Sequence, residues 1–301
     1  LDVLIEMTHS AFIQLVDPSE KRATVLINTL EQLLELDHWD YFRDHENKVL
    51  GIQRASLATV RILFTRDVVS DSLTKDQHNK ILNTVAEKGC MACFRTVDDM
   101  NHPHGKTGWR YDEHQNRRHS MNMDRWPIIL GGNNLRAAPT AALGIGAIAL
   151  LGHDSRAEEW VETALNSTQR VMDLFNADGS YFEGISYAGY TLRTTLSFFD
   201  VYQRKIGDIK WLDHGKLDAI TEHILTMQAG KKDDGSPDVV NYADAGGSVY
   251  PCAPAWFVRQ TGNPLAQYAT ENAANPTSFL DFLWYQPNHP SVEPPAALKN
   301  V

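Results

Sequence analysis

The sequence predicts an all-α fold of paired helices, and three observations lead there. Apolar residues recur at helical spacing along most of the chain, as in Thr24 to Leu36, where Val25, Leu26, Leu30, Leu33 and Leu34 mark the repeat. The run from Leu135 to Leu151 is almost wholly apolar, the signature of a helix buried on all sides. Alternating β-type runs bounded by hairpin signals are nearly absent, with Pro237 to Tyr242 the one weak exception.

Taken in order, helical periodicity continues after Thr24–Leu36 from about Ile52 to Phe64 and again from Asp76 to Phe94. A long polar stretch, Asn101 to Asp124, separates these from the apolar Leu135 to Leu151 helix, which Gly152 ends. Asp154 or Ser155 then caps a helix running through Phe175. Further helices are expected from about Ile185 to Lys205, Lys216 to Met227, Pro254 to Gln260 and Pro264 to Asn272. Helix pairs joined by short turns form a bundle, a superhelix or a closed toroid. No fixed-period repeat motif is present. Residues 1–287 read as one helical domain, and 288–301, rich in proline and without periodicity, as a linker toward a further domain.

At 301 residues and 43% hydrophobic content, the chain can bury a sizeable core. A formal net charge of −10 argues against a general nucleic-acid binder, which needs clustered Lys and Arg to neutralise phosphates. The longest apolar run falls short of the ~20 residues of a membrane-spanning helix, so no membrane insertion is expected. The chain opens on Leu1 with no signal-type pattern, which is compatible with a leader removed upstream. Cys90, Cys93 and Cys252 are expected as ordinary buried thiols: the Cys90-Met91-Ala92-Cys93 spacing has no second CxxC and falls within a helical run.

Two segments carry the chemistry. Gly131-Gly132-Asn133-Asn134-Leu135-Arg136 offers un-ionised amides at a helix start, where Asn133 and Asn134 are also good N-caps. Asp178-Gly179-Ser180-Tyr181-Phe182-Glu183-Gly184-Ile185-Ser186-Tyr187-Ala188-Gly189-Tyr190 offers tyrosines at another. Tyr187 and Tyr190, three apart on a helix, have a structural reading too, as buried rings with satisfied hydroxyls. The polar loop from Asn101 to Trp126 adds Trp109, Arg118, His119 and Trp126 among other histidines and arginines, a combination suited to stacking on sugars and to bidentate binding of carboxylate or sulfate. Its histidines lack HExxH or Cys/His-quartet spacing, so neither a metal site nor a cofactor is expected. Asn241 and Asp244 occupy a further loop, where turn chemistry explains them equally well.

In combination, the Asn133-Asn134 loop before an Ala-rich helix, the Asp-Gly-x-x-x-Glu-Gly-x-x-Tyr-x-x-Tyr segment, Asn241-Tyr242-Ala243-Asp244-Ala245 and Leu283-Trp284-Tyr285 resemble the N-terminal domain of the heparinase II/III-like polysaccharide lyases. The resemblance covers about Leu30 to Pro295. It implies an incomplete (α/α)5-6 toroid that precedes a β-sandwich domain, and a protein working on external polysaccharide, in the periplasm or secreted. It also implies β-elimination on a uronic-acid glycan, with Asn133 neutralising the carboxylate and Tyr187 as base and acid. On this reading Asn134, Arg136, Trp109, Arg118, His119, Trp126, Glu183, Tyr190, Asn241 and Asp244 bind the acidic oligosaccharide. The family's tryptophan after the paired asparagines is Leu135 here, and the catalytic His and Tyr of its sandwich domain have no counterpart in these residues.

Two other classes remain open on the sequence. A helical-toroid glycoside hydrolase would use two opposed carboxylates, drawn from Asp178, Glu183 and Asp244. A non-catalytic glycan-binding domain would keep the aromatics and be indifferent to Asn133→Ala and Tyr187→Phe.

Overall fold

A computed structural model describes residues 1–106, 108–112, 122–233, 237–240, 242–243, 246, 250, 252–273, 278–295 and 298. The chain is predominantly helical, as expected. It divides into two compact units, residues 1–168 with 201–207 and residues 169–200 with 208–301. The long helices Ala157–Met172 and Ile185–Lys205 each contribute to both units.

In the first unit, α1 (Asp2–Val16), α2 (Glu20–Glu35), α3 (Arg54–Val68), α4 (Lys75–Thr84), α5 (Met91–Asn101), α6 (Trp126–Gly131), α7 (Ala137–Leu150) and most of α8 (Ala157–Met172) form the body. Helix α2 shows why the periodicity works: Ser19 caps it, and Ala23, Leu26, Leu30 and Leu34 line its buried stripe. Each of those leucines contributes on the order of 1.5–3 kcal/mol by leaving water. Helix α7 is the inner element, packed against α3 and α5, and nearly every residue along it is buried. Its own alanines and glycines let neighbours come close; a side chain at Gly146 would collide with the Cys90 sulfur.

Three departures from the sequence expectation have local causes. Helix α1 was not anticipated, because Leu1 provides no side-chain cap and Val3, Ile13, Leu15 and Val16 blur the stripe by remaining exposed. The single helix expected over Asp76–Phe94 is instead α4 and α5 joined by a π-helical turn, Val85–Cys90. There the backbone of Gly89 lies against Thr59, leaving no room for a side chain. Finally, β1 (Phe42–Arg43), β2 (Val49–Leu50) and β3 (Arg110–Tyr111) form a small antiparallel sheet in the order β2-β1-β3. Two-residue strands are too short to show alternation.

The second unit holds the end of α8, most of α9 (Ile185–Lys205), then α10 (His214–Thr226), α11 (Cys252–Thr261), α12 (Pro264–Glu271) and α13 (Phe279–Trp284). Strands β4 (Gln228–Lys231) and β5 (Pro237–Val239) pair antiparallel, the latter within the weak β-type run noted in the sequence. Trp256, Phe257, Phe198, Phe199 and Trp284 fill this unit's core. The Pro-rich segment after α13 is tied to the body where the Val292 N–H donates to the Pro264 carbonyl at 3.3 Å. No helix of the described residues is long and apolar enough to cross a membrane.

Candidate functional site

In the first unit, α6 ends at a short turn that presents Asn133 in extended conformation. The Asn133 Oδ1 accepts the Leu135 N–H at 2.9 Å and so caps the 3-10 turn Asn134–Arg136 that leads into α7. A backbone N–H can be received only by the oxygen, so the cap fixes which end of the amide is which. The Nδ2 donor is left without a partner among the described residues. Asn134 is buried.

Arg136, expected as a substrate contact, is only 2% exposed. Its Nε donates to Ser167 Oγ at 3.1 Å, its Nη1 to the Gly131 carbonyl at 2.8 Å and its Nη2 to Asn101 Oδ1. All three nitrogens are thus engaged inside the protein, and the guanidinium braces the Asn133 turn instead of facing a ligand. Gly131 lies close against this group: a Cβ there would stand 3.2 Å from Nη1, so the guanidinium would have to give by a few tenths of an ångström.

In the second unit, the turn at Asp178-Gly179-Ser180 sets up the start of α9. Gly179 has φ +80°, and a side chain on it would collide with the Ala219 carbonyl of α10. Asp178 accepts the Ser180 N–H at 3.0 Å and hydroxyl at 2.7 Å, and these bonds hold its carboxyl below the usual range. The following Tyr181 is fully buried and donates its hydroxyl to Glu183 Oε2 at 2.8 Å. Burial, reinforced by the Glu183 carboxylate, pushes the Tyr181 hydroxyl well above its ordinary value. Glu183 is thereby the anchor of a buried tyrosine. Tyr242 braces the same turn, its hydroxyl donating to the Tyr181 carbonyl at 2.5 Å.

Helix α9 then carries Tyr187, Tyr190 and Arg193 at successive three-residue steps, each half-buried. The Tyr187 hydroxyl has no hydrogen-bond partner among the described residues. The Arg193 guanidinium lies 6.0 Å from the Tyr190 ring centre and 4.8 Å from that of Tyr250. Burial raises the Tyr190 hydroxyl, and the nearby Arg193 charge opposes that rise. Between Tyr187 and Tyr190, Gly189 leaves room for the Tyr250 ring to lie on the helix backbone, where a side chain would strike the ring.

The remaining sequence candidates divide. Trp109 is 3% exposed, its Nε1 donating to Asp99 Oδ2 at 2.8 Å, and it belongs to a core cluster with Phe42, Leu50, Met100, Tyr111 and Leu130. That buries the surface a stacking sugar would need, and corrects the expectation for Trp109. Trp126 is half-buried at the edge of the same cluster, against Tyr111. Arg118, His119, Asn241 and Asp244 lie outside the described residues. Asn133, Asn134 and Arg136 thus belong to one unit and Glu183, Tyr187 and Tyr190 to the other.

The sequence reading missed Arg193, Tyr242 and Tyr250. Arg193 stands three residues after Tyr190, a spacing visible in the sequence, whereas the tyrosines of the 242–250 stretch reach α9 only through the fold. No group of three or more His, Cys, Asp or Glu side chains among the described residues is gathered as a metal site would require. No family model matches the chain, and no curated protein matches it.

Proposed function

We propose that this chain is the helical, toroid-type part of a polysaccharide lyase that cleaves a uronic-acid glycan by β-elimination. The observation that carries the reading is Tyr187: a half-buried tyrosine whose hydroxyl has no hydrogen-bond partner among the described residues, in the first turn of α9, where the helix dipole favours developing negative charge. In the reaction, the deprotonated Tyr187 oxygen takes the C5 proton of the uronate. The C–H electron pair becomes the C4=C5 double bond as the C4–O4 bond breaks. The leaving O4 receives the proton back from Tyr187. As C5 loses its proton, charge accumulates on the carboxylate, and on this reading the neutralising hydrogen bond is the role of Asn133, whose Nδ2 is not spent in the cap. On this reading an incomplete (α/α)5-6 toroid works with a following β-sandwich domain, on external acidic polysaccharide, in the periplasm or outside the cell, and without a cofactor.

The hydrolase alternative needs one carboxyl held protonated; Asp178, whose carboxyl Ser180 holds below the usual range, would not be that acid. The deciding assay follows absorbance near ~235 nm while the chain, alone and joined to any following domain, is incubated with a panel of uronate polysaccharides. Growth of that signal, lost in Tyr187→Phe, is the expected result. New reducing ends without absorbance would replace the lyase by a hydrolase, and silence in both assays by a glycan-binding domain.

A further inference from the structure

We infer that Arg193, flanked by the rings of Tyr190 and Tyr250, is a carboxylate-binding group for the glycan. The inference rests on the uronate reading above, and its test separates the two. A guanidinium ordinarily finds a carboxylate, as Arg259 does with Asp200 at 3.1 Å. Arg193 makes neither an ion pair nor a hydrogen bond with any described residue. Its neighbours are aromatic: Tyr190 at 6.0 Å and Tyr250 at 4.8 Å hold the cation by their π faces and leave its N–H donors unspent.

This is a built arrangement. The Tyr250 ring rests on α9 only because residue 189 is glycine, in a helix interior where glycine is otherwise unfavourable. The planar fork of a guanidinium matches a carboxylate bidentately, and the flanking tyrosines offer apolar faces and hydroxyls of the kind that pack against a pyranose. Arg193 neighbours Tyr190 at the three-residue step, on the helix that also carries the proposed catalytic tyrosine Tyr187. The ligand class is therefore a chain of hexuronates, with Arg193 selecting for the carboxylate at C5.

The test is calorimetric titration of the full chain with a tetra-uronate and with its carboxyl-reduced counterpart, in which each carboxylate is a primary alcohol. Wild type is expected to prefer the tetra-uronate, and Arg193→Gln to lose that preference by about tenfold or more while Arg193→Lys retains part of it. Tyr187→Phe, with its binding surface intact, is expected to keep the preference. Circular dichroism of each variant verifies its fold. Should Arg193→Gln prove misfolded, Arg193→Lys and Gly189→Ala, which displaces the Tyr250 ring, carry the comparison. Undiminished preference in the Arg193 variants overturns the inference, as does a wild type that binds both glycans equally. Arg193-dependent binding without growth of ultraviolet absorbance would keep this site and remove the lyase. Elimination that proceeds in Arg193→Gln at the wild-type rate and KM would do the reverse.

Discussion

Arg136 and Arg193 are the same residue in two neighbourhoods, and their neighbours assign them opposite work. Arg136 sits at a conspicuous polar motif, yet its guanidinium is saturated by Ser167, Gly131 and Asn101 and sealed from solvent. Arg193 sits mid-helix in an unremarkable run, yet it is half-buried and flanked by tyrosine rings, with no acidic partner among the described residues. A cation whose donors are all spent inside the protein braces structure, whereas one held only by π faces can still bind an anion. The same contrast separates Tyr181, locked onto Glu183, from Tyr187, whose hydroxyl has no protein partner among the described residues.

The sharpest break in this comparison is expected in stability. Arg136→Ala leaves a carbonyl, a hydroxyl and an amide without their donor, and is expected to cost about 3–5 kcal/mol in urea unfolding. Arg193→Gln is expected to cost under about 1 kcal/mol in the same experiment; equal losses would erase the distinction. Next in size, on the proposed lyase reading, Tyr187→Phe is expected to lower elimination by a factor of about 10²–10⁴ with an unchanged unfolding midpoint, whereas Tyr181→Phe leaves the chemical step in place. Asn133→Asp keeps an oxygen to cap Leu135 but removes the amide donor and adds a charge of the sign that the proposed uronate substrate carries. Its expected signature is a turnover loss of about 10²–10³ with little change in stability, while Asn133→Ala loses the cap as well, at about 1 kcal/mol. Gly189→Ala trades a better helix residue against displacement of Tyr250, for a net loss of roughly 1–2 kcal/mol and weaker uronate binding.

The smallest expected effect concerns pH. Because burial raises the Tyr181 hydroxyl above its unfolded value, the native state holds that proton longer than the unfolded chain does. The stability associated with it is full below the unfolded value near ~10 and declines as pH rises beyond it. Alkaline unfolding followed in Tyr181→Phe should show a shallower decline than wild type; an identical slope would exclude this contribution.

Much of the helical content was legible because local rules set it: Ser19 and Thr74 cap the helices that follow them, and Gly152 turns the chain after α7 with φ +76°. The start of α3 shows where such rules stop. Its N–H groups at Ile52, Gln53, Arg54 and Ala55 are received by Asp40, a cap reaching across from an earlier loop. The candidate site divides in the same way. The cap formed by Asn133 and the place of Tyr187 in the first turn of α9 were legible because each depends on residue type beside a helix start, whereas the bond that ties Glu183 to the buried Tyr181 was not foreseen.

By itself, then, the sequence determined the helical class, the buried character of α7, the turn glycines and the tyrosine-bearing first turn of α9, all properties decided within a few residues by periodicity, capping and backbone freedom. Tertiary structure alone decided that Trp109 is core and not a sugar platform, that Arg136 is a brace, and that Tyr250 meets Arg193 over Gly189. The physical reason is that burial and hydrogen-bond saturation depend on which distant segments arrive at a side chain, and a guanidinium's availability is set by those arrivals and not by its position in the chain.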